Sequence, residues 1–159
     1  MIFWGQTMRI FKLLFFISLL TFSFTQIEDG CDLPSNNLYL TSDGAVLYNS
    51  PDEAIGGFQF DVNGATVSGG SGGDSGDAGF VVSAGGSTVL GFSFTGATFG
   101  PGCGTMVNLN LNGNATGFVE TYIDDDGNVQ DAIVFSNAAG VAMDVVYSGG
   151  LECIADGEC

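Results

Sequence analysis

Basic side chains are almost absent from this sequence. Of its 159 residues none is histidine, and the two cationic residues, Arg9 and Lys12, both lie near the start. Binding a phosphate backbone requires cationic side chains, so we expect neither nucleic acid nor an anionic membrane surface as a partner. The usual catalytic base, Schiff-base amine and oxyanion clamp are missing too, which argues against an enzyme.

Acidic side chains are abundant instead, and 18 Asp and Glu residues give a formal net charge of −16. A carboxylate pair can hydrolyse a glycosidic bond, and a glycosidase-like enzyme is therefore the remaining catalytic alternative. However, the acids cluster in glycine-rich turns, such as Asp74, Asp77 and residues 124–126, and not in apolar strands that would raise a pKa. The excess charge indicates either a medium whose salt or calcium screens it, or an acidic surface that keeps the chain in solution.

The first 25 residues predict a secretory signal peptide. Met8 to Lys12 form a short basic start, Leu13 to Phe24 an apolar run, and Ser23 and Thr25 are the small residues that a signal peptidase reads. The apolar run is shorter than the roughly 20 residues that span a bilayer, and a buried core helix is the alternative. Cleavage leaves 18 acids and no basic side chain, a formal charge of −18. We expect a secreted protein, extracellular or at the cell surface.

Four cysteines, an even number in an exported chain, predict disulfide bonds. They are Cys31, Cys103, Cys153 and Cys159, and three pairings are possible. Proximity along the chain favours Cys153 with Cys159, which leaves Cys31 to pair with Cys103. A zinc site is the alternative, but the sequence offers neither a CxxC spacing nor a histidine for it.

Period-two alternation of apolar and polar residues predicts β-strands throughout the rest of the chain. Residues 90–95 and 107–112 alternate strictly, as do residues 58–62, which is typical of strands with one buried face. A glycine- and proline-rich loop separates the first two of these stretches. The predicted core residues are Phe58, Phe60, Phe92, Phe94, Leu109 and Leu111.

Turn-forming residues divide the predicted strands. Asn63–Gly64 and Gly113–Asn114 predict turns, and the glycine-rich stretch 69–79 predicts a mobile loop without a phosphate-binding role. No helical periodicity is present. The fold class is therefore all-β, a nine- to ten-stranded β-sandwich of the jelly-roll type. It would occupy residues 38–150, after a lead-in at 26–37 and before an acidic, cysteine-containing tail at 151–159.

Three stretches resemble cohesin modules and the related jelly roll of cellulose-binding modules. They are residues 55–62 (IGGFQFDV), 89–94 (VLGFSF) and 102–111 (GCGTMVNLNL), and the resemblance extends over about residues 38–149. It implies a nine-stranded jelly roll with a non-catalytic binding role. Cohesins bind calcium-loaded dockerin modules through one sheet face, but no stretch here clearly matches that surface.

The acidic loop around Gly127 is the candidate metal site. Calcium takes oxygen ligands from carboxylates and amides, and Asp124, Asp126, Asn128 and Asp131 could supply them. The spacing is not that of an EF-hand, because Tyr122 falls where the first aspartate belongs. The alternative is a plain hairpin turn, for which Asp-Gly is a standard dipeptide.

The resemblance and the composition together predict binding without catalysis. We expect a secreted binding or adhesion module whose partner is a dockerin-type protein module or a polysaccharide; the alternative is a structural subunit of an extracellular filament or coat. The one tryptophan, Trp4, lies in the signal peptide, so only tyrosines could stack on sugar rings. Their spacing favours core and rim positions instead: Tyr39, Tyr48, Tyr122 and Tyr147.

Overall fold

A computed structural model describes residues 27–147 of the chain. The signal peptide predicted for residues 1–25 and the tail 151–159, with Cys153 and Cys159, lie outside the described residues. Between 27 and 147 the chain forms eleven strands, a 3₁₀ turn at Gly30–Asp32 and one short helix, so the predicted all-β class is confirmed. The elements are β1 (Asn37–Leu40), β2 (Ala45–Ser50), β3 (Ile55–Ser71), α1 (Gly73–Asp77), β4 (Val81–Gly85), β5 (Thr88–Phe92), β6 (Gly102–Val119), β7 (Thr121–Ile123), β8 (Val129–Asp131), β9 (Val134–Asn137), β10 (Ala142–Met143) and β11 (Val146–Tyr147).

Nine strands form one mixed sheet. The order β10-β9-β3-β6-β2-β1-β11 gives its main path, and the β4–β5 hairpin joins it through β5, which pairs with β3. All these pairs are antiparallel except β1 with β11. Asp61 of β3 is in register with both Thr88 of β5 and Val119 of β6, so β5 and β6 lie on opposite sides of β3. The β7–β8 hairpin stands apart as a two-stranded sheet.

The β1–β2 hairpin is buried on both faces. Leu38 and Tyr48 belong to the main core, whereas Tyr39 and Leu47 pack with Leu33 of the lead-in. The predicted disulfide between Cys31 and Cys103 holds this lead-in to the start of β6, with an S–S distance of 2.07 Å. The segment before the first strand is therefore part of the folded domain.

Two of the predicted turns are wrong, because the chain continues through both of them in the two longest strands. β3 has 17 residues and β6 has 18, and they run through Asn63–Gly64 and Gly113–Asn114 without reversing. At this point residues 114–116 of β6 stand opposite Gly64 alone, which is a β-bulge. Gly64 and Gly113 have φ of +80° and +121°. Glycine supplies the same left-handed conformation to a bulge as to a turn, so the dipeptides by themselves could not distinguish the two.

These bulges change which residues of β3 face inward. Phe58 and Phe60 point to the core at even positions, Val67 does so at an odd position, and a second register shift lies between Val67 and Gly70. One extra residue in a strand turns the following side chains to the other face. Both halves of β3 consequently contribute to one core that also takes residues from β1, β2, β5, β6 and β9.

The prediction of Phe92 and Phe94 as core residues is wrong, whereas Phe58, Phe60 and Leu109 are buried and Leu111 packs partly buried against them. On β5 the inward residues are Val89 and Gly91. The Phe58 ring lies over Gly91, where an added Cβ would stand 2.0 Å from its Cζ atom. Because only a glycine leaves room for that ring, β5 turns Leu90 and Phe92 outward.

The stretch 69–79, predicted as a mobile loop, is instead the end of β3 followed by α1. Ser75 is completely buried and donates from Oγ to the Met106 carbonyl at 2.8 Å. Asp74 Oδ2 accepts from the Tyr48 hydroxyl at 2.7 Å. The helix is too short to show a 3.6-residue period, and these two side-chain hydrogen bonds hold it against β2 and β6.

Val141, Met143, Val145 and Tyr147 alternate with other residues as in one strand, but the structure divides residues 141–147 in two. β10 pairs with β9, and β11 pairs with β1 at the opposite end of the main sheet path. The alternation of apolar residues is continuous in the sequence, but the two halves bind different neighbours. No helix within residues 27–147 is long and apolar enough to cross a membrane.

Candidate binding face

Four adjacent strands, β4, β5, β3 and β9, expose a common surface opposite the core, which we call the outer face. Strand register sets its side chains in two neighbouring rows, because directly paired residues lie side by side on one face of a sheet. The first row is Val81, Phe92, Gly57 and Ser136, and the second is Ser83, Leu90, Gln59 and Val134.

Apolar side chains on the outer face are unusually exposed. Val81, Leu90 and Val134 have 44%, 39% and 47% of their surfaces accessible. They come from three different strands and lie in the two neighbouring rows defined above. Single exposed apolar residues are common, but a group of them on one face marks an interaction surface.

Phe94 stands at the edge of the outer face and is 82% exposed. Its ring meets the Phe92 ring edge to face, with 4.8 Å between centroids. The loop after β5 is fixed by Ser93, whose Oγ accepts from the Ala97 amide at 3.1 Å and from the Thr95 amide at 3.3 Å. An aromatic ring is therefore held in solvent by an ordered turn.

The centre of the outer face is uncharged. Gly57 contributes no side chain there, and an added Cβ would lie 3.2 Å from the Ser136 Oγ, closer than ordinary van der Waals contact. Gln59 is exposed two residues further along β3. The nearest carboxylate in the register is Asp61, which accepts a hydrogen bond from the Thr88 hydroxyl. Neither row of the face carries a charge, although the chain as a whole is strongly acidic.

The predicted calcium ligands lie on the β7–β8 hairpin, with Asp124, Asp126 and Asn128 in the turn and Asp131 at the end of β8. Asp124 Oδ1 accepts from the Asn128 amide at 2.8 Å, and Oδ2 accepts from Gln130 Nε2 at 2.9 Å. These donors, the Asn128 amide first, hold the pKa of Asp124 below its ordinary value. This carboxylate therefore closes the turn.

Of the other predicted ligands only Asn128 has its side chain against Asp124, with Nδ2 at 3.4 Å from both carboxylate oxygens. Asp126 and Asp131 are exposed, and no group of three or more acidic, cysteine or histidine side chains within residues 27–147 has the arrangement of a metal site. The structure supports the turn-forming role of this loop, and calcium binding by Asp124, Asp126, Asn128 and Asp131 stays a prediction.

The tyrosines do not form a sugar-stacking strip. Tyr39 and Tyr48 are buried, at 7% and 2% exposure, and Tyr147 packs edge to face on Phe118. Only Tyr122, on β7, has an exposed ring among the four. The sequence-based preference for core and rim positions fits this arrangement.

The outer face does not follow from the sequence, because the alternation of apolar residues predicts Phe92 and Phe94 as core residues. One signal was available: Thr95–Gly96 directly after Phe94 is a turn-forming pair, and Gly96 has a φ of +73°. An aromatic residue next to a turn need not continue the strand's buried stripe.

Comparison with family models, with curated proteins and with solved structures finds no match to this chain. Its function must therefore be argued from its own residues.

Proposed function

We propose that this chain is an exported, non-catalytic binding module that holds a protein partner through the outer face. The exposed Phe94, fixed by Ser93 and backed by Phe92, is the observation that carries the proposal. Binding energy at protein interfaces is concentrated in a few anchors, among which aromatic side chains are enriched. Exposed aliphatic side chains around a rigid ring fit the apolar centre of such an interface.

Export is supported by three features. The Cys31–Cys103 disulfide is of a kind that persists in oxidising compartments. The start of the sequence has the pattern of a signal peptide, and no basic side chain follows Lys12. The finer architecture that we propose is a cohesin-like jelly roll, in which one sheet face binds the partner and the opposite face covers the core.

The test is capture of a partner by the immobilised mature protein from surface proteins of the cells that produce it. We expect Phe94→Ser to reduce capture at least tenfold, because an aromatic anchor contributes about 2 kcal/mol or more at a protein interface. Val141→Ser is the matched control, since Val141 is 59% exposed and lies off the outer face. Equal capture by wild type and Phe94→Ser would remove the outer face as the binding site.

A structural subunit of a filament or coat is the second candidate, and the β7–β8 hairpin favours it. Its Tyr122, Ile123 and Val129 are 51%, 72% and 68% exposed, and among residues 27–147 its two strands pair only with each other. Free strand edges with apolar side chains promote pairing between chains. Sedimentation separates the two functions: a binding module stays monomeric, whereas a coat subunit assembles and Ile123→Ser weakens the assembly.

A further inference from the structure

A regular row of amides follows β6 on a surface separate from the outer face. Asn108, Asn110 and Asn112, which we call the asparagine ladder, are exposed and alternate with inward-facing Val107 and Leu109. Alternate residues of a strand repeat about every 6.7 Å. The three amides therefore form a linear array on the solvent side of the sheet.

The neighbouring strand β3 contributes small side chains with hydroxyl groups beside the ladder. Ser68 and Thr66 of β3 donate from Oγ and Oγ1 to the carbonyls of Asn110 and Asn112, each at 3.3 Å. Their hydroxyl oxygens keep lone pairs that can accept from a ligand.

Two glycines leave the ladder uncovered. A Cβ added to Gly69 would stand 3.6 Å from Asn110 Nδ2, and one added to Gly72 would stand 3.4 Å from Asn108 Nδ2. A larger residue at either position would extend over these amides. The absence of side chains there keeps the amides open to a ligand.

The ladder amides are not used by the fold. Among residues 27–147 no hydrogen bond engages the side chains of Asn108, Asn110 or Asn112, although the hydroxyls beside them are bonded to the backbone. Each amide offers one acceptor oxygen and two donor hydrogens. Such mixed groups in a row complement a ligand with many hydroxyls, because every hydroxyl both donates and accepts.

The absence of charged side chains from this surface restricts the class of ligand further. The ladder and its β3 neighbours Thr66, Ser68 and Ser71 include no carboxylate, in a chain with 18 acids and no basic side chain after Lys12. An anionic polymer would be repelled by the chain as a whole, and a cationic one would favour the carboxylates elsewhere on it. A neutral polyhydroxyl chain is what remains.

We propose that the asparagine ladder binds a neutral polysaccharide laid along β6. This site goes beyond the proposed function, since it takes a different class of ligand on different strands and does not require Phe94. The ladder would hold the protein on a polymer while the outer face stays available.

Retention of the mature protein on insoluble cellulose, curdlan and mannan, with calcium alginate as the anionic comparison, tests the site. We expect retention on at least one neutral polymer, and at least tenfold weaker binding of the double variant Asn110→Asp and Asn112→Asp. The variant keeps the side-chain size but replaces donors with charge. Asn63→Asp is the control, because Asn63 is an exposed asparagine of β3 that lies away from the ladder.

Circular dichroism and thermal unfolding of each variant show that retention is compared between folded proteins. Failure of all three neutral polymers to retain the wild type overturns the proposal, as does equal retention of the double variant. Loss of retention in Phe94→Ser with the ladder variant unaffected also overturns it, by moving the polymer to the outer face. Loss of protein capture alone in Phe94→Ser bears on the proposed function and not on the ladder.

Discussion

Gly91 decides which side of β5 faces the core, because its missing side chain leaves the space that the Phe58 ring occupies. In the sequence, Leu90, Phe92 and Phe94 form a more conspicuous apolar stripe than Val89 and Gly91. The residues of β5 that face the core are nevertheless Val89 and Gly91. A large ring on the neighbouring strand needs a small partner, and this requirement outweighs the hydrophobicity of the stripe itself.

Replacing Gly91 with alanine should therefore be costly. The added Cβ would overlap the Phe58 ring, and overpacking of this kind costs about 1–3 kcal/mol of the free energy of unfolding. Urea unfolding of Gly91→Ala measures it. Gly85→Ala is the control on the same hairpin, since nothing lies within 4 Å of a Cβ there, and its stability should stay within about 0.5 kcal/mol of the wild type.

Tyr48 makes the free energy of unfolding depend on pH in the alkaline range. Burial first, and the hydrogen bond to the Asp74 carboxylate second, raise the pKa of its hydroxyl well above the ordinary value of 10.0. The unfolded chain then loses this proton before the folded chain does, so the stabilisation present below pH 10 is lost as the pH rises further.

We expect the urea midpoint of the wild type to fall between pH 9 and pH 11 and that of Tyr48→Phe to fall less. At pH 8 the variant should be less stable by about 1–3 kcal/mol, because it lacks a hydrogen bond to a charged group. Tyr122→Phe, at an exposed position, should reproduce the wild-type profile. If the urea midpoints of wild type and Tyr48→Phe fall in parallel with pH, this hydroxyl does not cause the loss of stability at alkaline pH.

At the scale of single elements, the β7–β8 hairpin depends on the carboxylate of Asp124. The turn is closed by hydrogen bonds to the Asn128 backbone amide and the Gln130 side chain, and packing contributes little because every residue of the two strands is exposed. The pattern Asp-Asp-Asp-Gly-Asn is compatible with a turn and with a cation site, and local hydrogen bonds satisfy Asp124 without a cation.

Thermal unfolding in calcium tests the cation site directly. If Asp124, Asp126, Asn128 and Asp131 bind calcium, the melting temperature should rise by a few degrees, and more in calcium than in magnesium at equal ionic strength. Asp126→Asn should remove the difference between the two ions. Equal melting temperatures in calcium and magnesium would leave the loop as a turn only.

The bulged strands β3 and β6 show what one element contributes to the shape of the domain. Their irregularities at Gly64 and between Val67 and Gly70 keep apolar residues inward on both halves of β3. Gly57 and Gln59 of β3 belong to the outer face, and Thr66 and Ser68, further along the same strand, lie beside the asparagine ladder of β6. One long, bent strand thus borders two surfaces of different chemistry.

At the scale of the whole molecule, the Cys31–Cys103 disulfide closes a segment of 72 residues. In the chain-entropy model a loop of this length contributes about 4 kcal/mol by restricting the unfolded chain. We expect the double variant Cys31→Ser and Cys103→Ser to lose about that amount in urea unfolding. A loss below about 1 kcal/mol would mean that the packing of Leu33 and Gly30 holds the lead-in without the bond.

The uncompensated carboxylates make stability depend on salt. No basic side chain follows Lys12, so the folded chain carries repulsion that only dissolved ions screen. Raising sodium chloride from 10 mM to 500 mM at pH 7 should raise the melting temperature by several degrees. At pH 3, where most carboxyls are protonated, the increase should largely disappear; an equal increase at both values would point to salt effects other than screening.

The strand-rich class and the buried Phe58 and Phe60 could be predicted from the sequence, because the local alternation of apolar and polar residues indicates them directly. The short spacing of Cys153 and Cys159 leaves Cys31 to pair with Cys103, and this predicted bond is present in the structure. The helix α1 could not be predicted, since its stability comes from Ser75 and Asp74 bonding to distant strands.

The sequence by itself determined the charge, the absence of cationic chemistry and the alternating apolar residues, since these are properties of composition and of neighbours along the chain. Only the tertiary structure decided that Asn63–Gly64 is a bulge, that Gly91 faces the core and that Phe94 is exposed. Each of these depends on which strand lies alongside, and strand neighbours in this sheet are set by pairing between residues far apart in sequence. The outer face arises from that pairing, because its residues come from four strands, and no single stretch of the sequence therefore shows it.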